Sequence, residues 1–226
     1  MTIPATHAEI EQLYLQCELN GYRSICISAC QSEDGVTSVA ASLAERFILA
    51  GQRTLYVDFN LHKPAFEALY KLDDEVGQLI GHTSSHQAFV GVTAPEQATK
   101  QLNFRDPKYL SSDIKDWLSR YDKIVFDTSP LLSLNKSNVP AHMVASTCDA
   151  TILVTCFGQT TTRQLEQAKS LLDSSGAHLI GSVLNMKHSP SLKEEIQRQI
   201  EKLRFIPIRW RQNWIESVHK SELLEL

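Results

Sequence analysis

The chain has 226 residues, 42% of them apolar and 21% charged, with a formal net charge of −4 at neutral pH. That length and apolar share suit one domain with a substantial core, and no composition shift marks an internal boundary, so residues 1–226 are read as a single domain. The acidic balance argues against nucleic acid as a partner, because nucleic-acid binders present a basic field over one face.

Residues Met1 to His7 carry neither a cationic segment nor a long apolar one, and nowhere do about 18 or more apolar residues run together. The expectation is a soluble, cytoplasmic protein without a membrane span. Cys17, Cys26, Cys30, Cys148 and Cys156 form no CxxC pair, and three of them lie in or beside apolar runs, which predicts reduced thiols. The eight histidines are scattered without ligand spacing.

In chain order, Ile10, Leu13, Tyr14 and Cys17 stand at i, i+3, i+4, i+7 and predict a helix over Thr6 to Leu19, stopped by Asn20-Gly21. This N-terminal helix, within residues 1–21, docks on its own domain or on a neighbouring subunit. Arg23 to Ala29 predicts the first strand, and Val36 to Ala50 a helix with a broad apolar face ended by Gly51. Arg53 to Asp58 is the second strand. Ala65 to Gln101 reads as loop-rich surface holding a short helix over Ala65 to Tyr70, with Leu102 to Arg105 as a short strand. Leu110, Ile114, Trp117 and Leu118 mark a further helix.

Lys123 to Asp127 and Ala150 to Cys156 are short, continuous apolar runs, the pattern of parallel strands covered on both faces. A helix from about Thr161 to Ser174, a strand from about His178 to Leu184 and a helical stripe of Leu192, Ile196, Ile200 and Leu203 follow. Strands alternating with helices predict a doubly wound, mostly parallel α/β sheet with helices on both faces. A tail helix over 205–226 carries Trp210, Trp214 and Val218 on one face; its balanced charge suits packing or a protein partner better than a membrane surface.

The chemistry gathers at three strand ends. Ser28 to Ser38, Ser-Ala-Cys-Gln-Ser-Glu-Asp-Gly-Val-Thr-Ser, joins a strand to a helix, where backbone N–H groups and a positive helix end face outward. Gly35 allows close approach of the backbone and Thr37 offers a hydroxyl for magnesium. Asp58 and Asp127 end two strands at the edge where open α/β sheets bind ligands, one to support a metal and the other to orient water. The plainer alternatives are an unliganded strand-to-helix turn and carboxylates that satisfy loop amides.

With these pieces in hand, the chain resembles the MinD/ParA-type P-loop ATPases, and within them the cytoplasmic domains of bacterial tyrosine kinases (BY-kinases) that accompany exopolysaccharide copolymerases. Ser28 to Ser38 stands at the Walker A loop, and Thr54 to Pro64 is similar to the second acidic motif. Tyr121 to Pro130 resembles the Walker B strand, and Gly181 to Asn185 the strand whose asparagine faces adenine. The resemblance implies ATP or ADP with magnesium. It places Ser32, Glu33, Asp34, Gly35, Val36, Thr37, Ser38 and Asn185 at the nucleotide. Thr37, Asp58 and Asp127 would hold the metal, and Asp58 and Asp127 are the catalytic pair of an active form.

Several positions depart from that pattern. Val36 stands where the family has its Walker A lysine and Gln31 where it has a second lysine; Asn60, His62, Lys63 and Ser129 also differ. The last tyrosine is Tyr121, so the C-terminal tyrosine cluster of BY-kinases is absent, and Ala8 to Leu19 lacks the arginines of their N-terminal helix. The reading is a degenerate BY-kinase-like protein that binds nucleotide weakly or not at all. It would act as partner or regulator in exopolysaccharide or capsule assembly, beside a membrane polysaccharide copolymerase or other secretion component, or as a homo-oligomer. The alternatives are an active ATPase or tyrosine kinase whose missing charge comes from Lys63, another lysine or a partner, and a MinD/ParA-type spatial-organising ATPase.

Overall fold

A computed structural model of the protein describes residues 3–60, 64–71, 77–83, 87–93, 102–133 and 138–187, and the separate positions 196, 197, 199, 200, 202, 212 and 214. The chain divides into two compact units, Met1–Asn185 and Met186–Leu226. In the second unit the described positions 196, 197, 199, 200, 202, 212 and 214 are helical. Leu192, Leu203 and Trp210 of the predicted stripes, and most of the predicted tail helix, lie outside the described residues.

In the first unit the elements run α1 (Ala8–Leu19), β1 (Ser24–Ala29), α2 (Val36–Leu49), β2 (Thr54–Asp58), β3 (Phe66–Lys71), β4 (Gln78–His82), β5 (Ala88–Val92), α3 (Pro107–Arg120), β6 (Lys123–Asp127), α4 (Ala141–Thr147), β7 (Ala150–Cys156), α5 (Thr162–Ser175) and β8 (Leu179–Asn185). They form one eight-stranded sheet in the order β3-β4-β5-β2-β6-β1-β7-β8. All pairs from β5 to β8 are parallel, while β3-β4 and β4-β5 are antiparallel. The mostly parallel, doubly wound α/β fold read from the sequence is therefore the fold of the protein.

The continuous apolar runs become the central strands for a plain reason. With helices on both faces, no side of β1, β2, β6 or β7 reaches water, and every residue of the four is buried. On one face α1 and α2 supply Ile10, Cys17, Val39, Leu43 and Phe47 against Ile25, Ile27, Val125 and Ile152. On the other, α3, α4 and α5 supply Leu110, Trp117, Val144, Ala168 and Leu172 against Leu55, Val57, Ile124 and Phe126. The N-terminal helix lies on α2 of its own chain: Arg46 pairs with Glu11 at 2.6 Å, its guanidinium sits 3.9 Å over the Tyr14 ring, and Tyr14 packs on Phe47. Asp106 caps α3 by accepting from the Lys108 amide, with Pro107 at the first helical position.

Two expectations are corrected, and one helix was not foreseen. The segment read as loop with a helix over Ala65 to Tyr70 is instead β3, part of an antiparallel extension β3-β4-β5. Its strands are short and each buries few large side chains, so no apolar run announces them. They are organised by an aromatic cluster in which Phe66 and Phe89 lie 4.6 and 5.2 Å from the Tyr56 ring. Leu102 and Asn103 are helical, not extended, and lead into α3 through turns in which Arg105 and Asp106 donate to the Leu102 and Asn103 carbonyls. Finally, α4 has no counterpart in the sequence reading, since seven residues are too few to display a helical period.

Because Phe66 is 1% exposed at the centre of that cluster, Phe66→Ala is expected to destabilise the protein by about 3–5 kcal/mol. Urea unfolding measures this, and a loss below about 1 kcal/mol would show that the ring does not anchor the extension.

Candidate functional site

Parallel register builds the site. Asp58 of β2 lies directly opposite Asp127 of β6, so these two strands end together, while β1, whose Ile27 stands opposite Asp127, runs on to Ala29. Both carboxylates are fully buried. They do different work. Asp58 accepts from the Asn60 amide at 3.0 Å through one oxygen, and from the Ala65 and Phe66 amides at 2.9 and 3.2 Å through the other, which ties residues 60, 65 and 66 to the end of β2. That is the loop-satisfying role weighed for it from the sequence. Asp127 Oδ2 accepts from the Tyr56 hydroxyl at 2.9 Å, whereas Oδ1 is buried without a hydrogen-bond partner among the described residues.

This pairing sets the electrostatics. Burial, and then the charge of Asp58, push the Asp127 carboxyl up to about 7; the Thr37 and Tyr56 hydroxyls pull the other way. Asp58 is also raised by burial, against the pull of its three backbone donors. Two buried carboxylates on adjacent strands each disfavour the ionised form of the other.

The β1–α2 loop keeps the backbone of an anion cradle. Glu33 and Gly35 have φ of 72° and 104°, and α2 begins at Val36. A left-handed glutamate is uncommon and costs on the order of 1 kcal/mol, so the surrounding contacts hold it there. Asn185, at the end of β8, donates from its amide to the Asp34 carbonyl at 2.8 Å. A Cβ on Gly35 would meet that amide nitrogen at 2.3 Å, so the position requires glycine on two counts. Asp34 is buried; its carboxylate accepts from the Gln31 amide at 3.1 Å and from the Thr160 hydroxyl at 3.5 Å. The segment after β6 braces the same loop, with Leu131 and Leu132 donating to the Ala29 and Cys30 carbonyls.

Of the residues singled out from the sequence, Asp34, Gly35, Thr37, Asp58, Asp127 and Asn185 come together at this edge. Val36, Thr37 and Ser38 form the first turn of α2, with Ser32 and Glu33 in the loop before it. His62 and Lys63 lie outside the described residues. Sequence reasoning missed Tyr56 and Thr160. The alternation inside a buried strand gave no hint that Tyr56 reaches a carboxylate, and Thr160 becomes relevant only once β7 is known to flank β1.

For a magnesium ion, the unpartnered Asp127 Oδ1 and the nearby Thr37 hydroxyl are suitable oxygen donors, while the Asp58 oxygens are already taken by amides. Among the described residues no group of three or more His, Cys, Asp and Glu gathers around a metal position. For phosphate, the backbone fits and the side chains do not: residues 30–38 hold no lysine or arginine but do hold Glu33 and Asp34.

A parallel sheet with a glycine-bearing strand-to-helix loop beside two acidic strand ends defines a P-loop NTPase-type fold, and known proteins agree. The kinase domain of the Escherichia coli tyrosine kinase Etk superposes with a TM-score of 0.58 at 19% identity, over 80% of this chain and 74% of that one. The septum site-determining protein MinD of Pyrococcus horikoshii, complexed with Mg-ADP, gives 0.51 at 19% identity over 84% and 76%. By sequence the homologues are bacterial tyrosine-protein kinases. YwqD of Bacillus subtilis is 25% identical over 176 residues, 73% of either chain, and CpsD of Streptococcus pneumoniae is 25% identical over 179 residues, 71% of this chain and 74% of that one. No family model matches the sequence.

The raised pKa of Asp127 has a signed consequence. An unfolded aspartate titrates near pH 3.9, and the folded one near 7. Between those values the folded state binds more protons, so stability falls as pH rises from about 4 to 7 and then levels. Asp127→Asn is expected to stabilise the protein at pH 8 by up to about 4 kcal/mol and to lose that advantage by about pH 4. Denaturant unfolding across that range measures it, and a pH-independent difference would remove the assigned shift.

Proposed function

We propose that this protein is a degenerate relative of the bacterial tyrosine kinases that binds nucleotide weakly or not at all, and acts as a protein partner or regulator in surface-polysaccharide assembly. The observation that carries the reading is the charge at the loop: Val36 begins α2 where a lysine would meet phosphate, Glu33 and Asp34 precede it, and the buried carboxylates of Asp58 and Asp127 stand beside it. A charged hydrogen bond to phosphate contributes about 1.5–3 kcal/mol, and losing it lowers affinity about 10- to 150-fold. The tyrosine-kinase homologues support the family-level setting. The resemblance to kinases that accompany copolymerases supports a membrane-bound protein partner and, through it, attachment of a cytoplasmic protein to the membrane. No helix of the described residues is long and apolar enough to cross a membrane itself.

A second reading, an active ATPase or kinase, is favoured by one observation: Thr37 and the unpartnered Asp127 Oδ1 are what a magnesium ion would need. It requires a cation from elsewhere in the chain or from the partner.

Calorimetric titration with Mg-ADP and Mg-ATP separates the two. The degenerate-site reading expects weak or no binding by the wild type and a gain of about 10-fold or more in Val36→Lys. Magnesium-dependent turnover by the wild type that is lost in Asp127→Ala would sink it in favour of the second reading.

A further inference from the structure

Tyr56 is fully buried in a strand that is itself buried along its whole length, so its hydroxyl has to be satisfied inside the protein. Side chains alternate along a strand, which puts Tyr56 and Asp58 on one face of β2 and Val125 and Asp127 on the same face of β6. Tyr56 stands opposite Val125, yet its hydroxyl donates to Asp127 Oδ2 at 2.9 Å, one residue pair further on. That step is about 7 Å along the strand, beyond the reach of a serine or threonine.

The Tyr56 ring is held on both sides. Phe66 of β3 lies 4.6 Å from it at a tilt of 50°, and Phe89 of β5 lies 5.2 Å from it, stacked within 13°. Phe66 is held in turn by Asp58, whose Oδ2 accepts from its amide at 3.2 Å. The hydroxyl is thus fixed by contacts from three strands, and it fixes Asp127. With Oδ2 engaged, the orientation of the carboxylate is set, and Oδ1 is left buried without a hydrogen-bond partner. A buried acceptor in that state is costly until a donor or a cation takes it, and the Thr37 hydroxyl at the start of α2 is close by.

We infer that Tyr56 is a positioning residue for a divalent cation: by holding Asp127 through Oδ2 it presents Oδ1, beside the Thr37 hydroxyl, as one fixed oxygen ligand. The inference rests on the reading of Asp127 and Thr37 as oxygen donors to magnesium, and it needs no nucleotide. It gives Asp58 an indirect part, exerted through Phe66 and Tyr56, because the Asp58 oxygens are taken by backbone amides. Removing a partner that orients a metal-binding side chain typically weakens metal affinity by about 10- to 100-fold.

Tyr56→Phe removes the hydroxyl and keeps a ring between Phe66 and Phe89. The wild type, Tyr56→Phe and Asp127→Asn are titrated with Mn²⁺ in the absence of nucleotide, the free ion being counted by electron paramagnetic resonance and Mg²⁺ serving as competitor. Leu172→Ala, which opens a buried contact on the opposite face of the sheet, is the control for loss of stability alone. The expected result is uptake of one Mn²⁺ by the wild type and by Leu172→Ala, displaced by Mg²⁺ and lost in Asp127→Asn, with affinity about tenfold or more lower in Tyr56→Phe. Equal affinity in Tyr56→Phe and the wild type overturns the inference, as does an equal loss in Leu172→Ala. So does a wild type that takes up no Mn²⁺ at millimolar ion, or one whose uptake survives Asp127→Asn. If Tyr56→Phe melts early, the titration is run at a temperature where circular dichroism shows it folded. Tight Mg-ADP binding by the wild type would end the degenerate-site reading, whereas the Mn²⁺ comparison, made without nucleotide, decides the part of Tyr56 in either case.

Discussion

The site depends on one constraint, the in-register burial of Asp58 against Asp127 at the ends of two central parallel strands. Parallel pairing fixes which residues stand side by side, and helices on both faces exclude the water that would otherwise separate two like charges. Each carboxylate is then made tolerable by a different neighbour. Asp58 spends its charge on three amides that start the antiparallel extension, and Asp127 takes the hydroxyl of Tyr56, whose ring is stacked on Phe89 of that same extension. The acidic pair and the β3-β4-β5 extension are therefore linked: Asp58 accepts from the Phe66 amide at the start of β3, and Tyr56, which donates to Asp127 from β2, packs on Phe66 and Phe89 of the extension.

The β1–α2 loop illustrates how backbone shape and side-chain chemistry separate. Its positive φ angles at Glu33 and Gly35 are those of an anion cradle, yet only one of the two positions is glycine. A glutamate held in that conformation needs support, and the support is local: the Asn185 amide on the Asp34 carbonyl, the Asp34 carboxylate on the Gln31 amide, and the Leu131 and Leu132 amides on the end of β1. The loop keeps its form through these bonds together with the glycine at position 35.

What could be read from the sequence follows from this architecture. β1, β2, β6 and β7 were legible because a strand covered on both faces has to be apolar throughout, and Asp58 and Asp127 were legible because each ends such a run in a carboxylate. β3, β4 and β5 were not, since their cohesion comes from rings on Phe66 and Phe89 that meet Tyr56 across the sheet, a contact with no signature along the chain. Asn185 ends β8, where the sequence reading had its strand finish. Its bond to the Asp34 carbonyl depends on the β1-β7-β8 order, which local pattern does not encode.

The missing lysine and the raised Asp127 are best understood together. A phosphate site balances buried carboxylates with a lysine, a metal ion or both, and each of these holds the carboxylates in their ionised form. With Val36 at the start of α2, the charge that acts on Asp127 from its neighbour is the negative charge of Asp58, which together with burial raises its carboxyl. Asp58 is nevertheless required where it is, because three backbone amides would lose their acceptor without it. An acidic pair of this kind can persist for structural reasons alone, so the presence of Asp58 and Asp127 is not by itself support for catalysis.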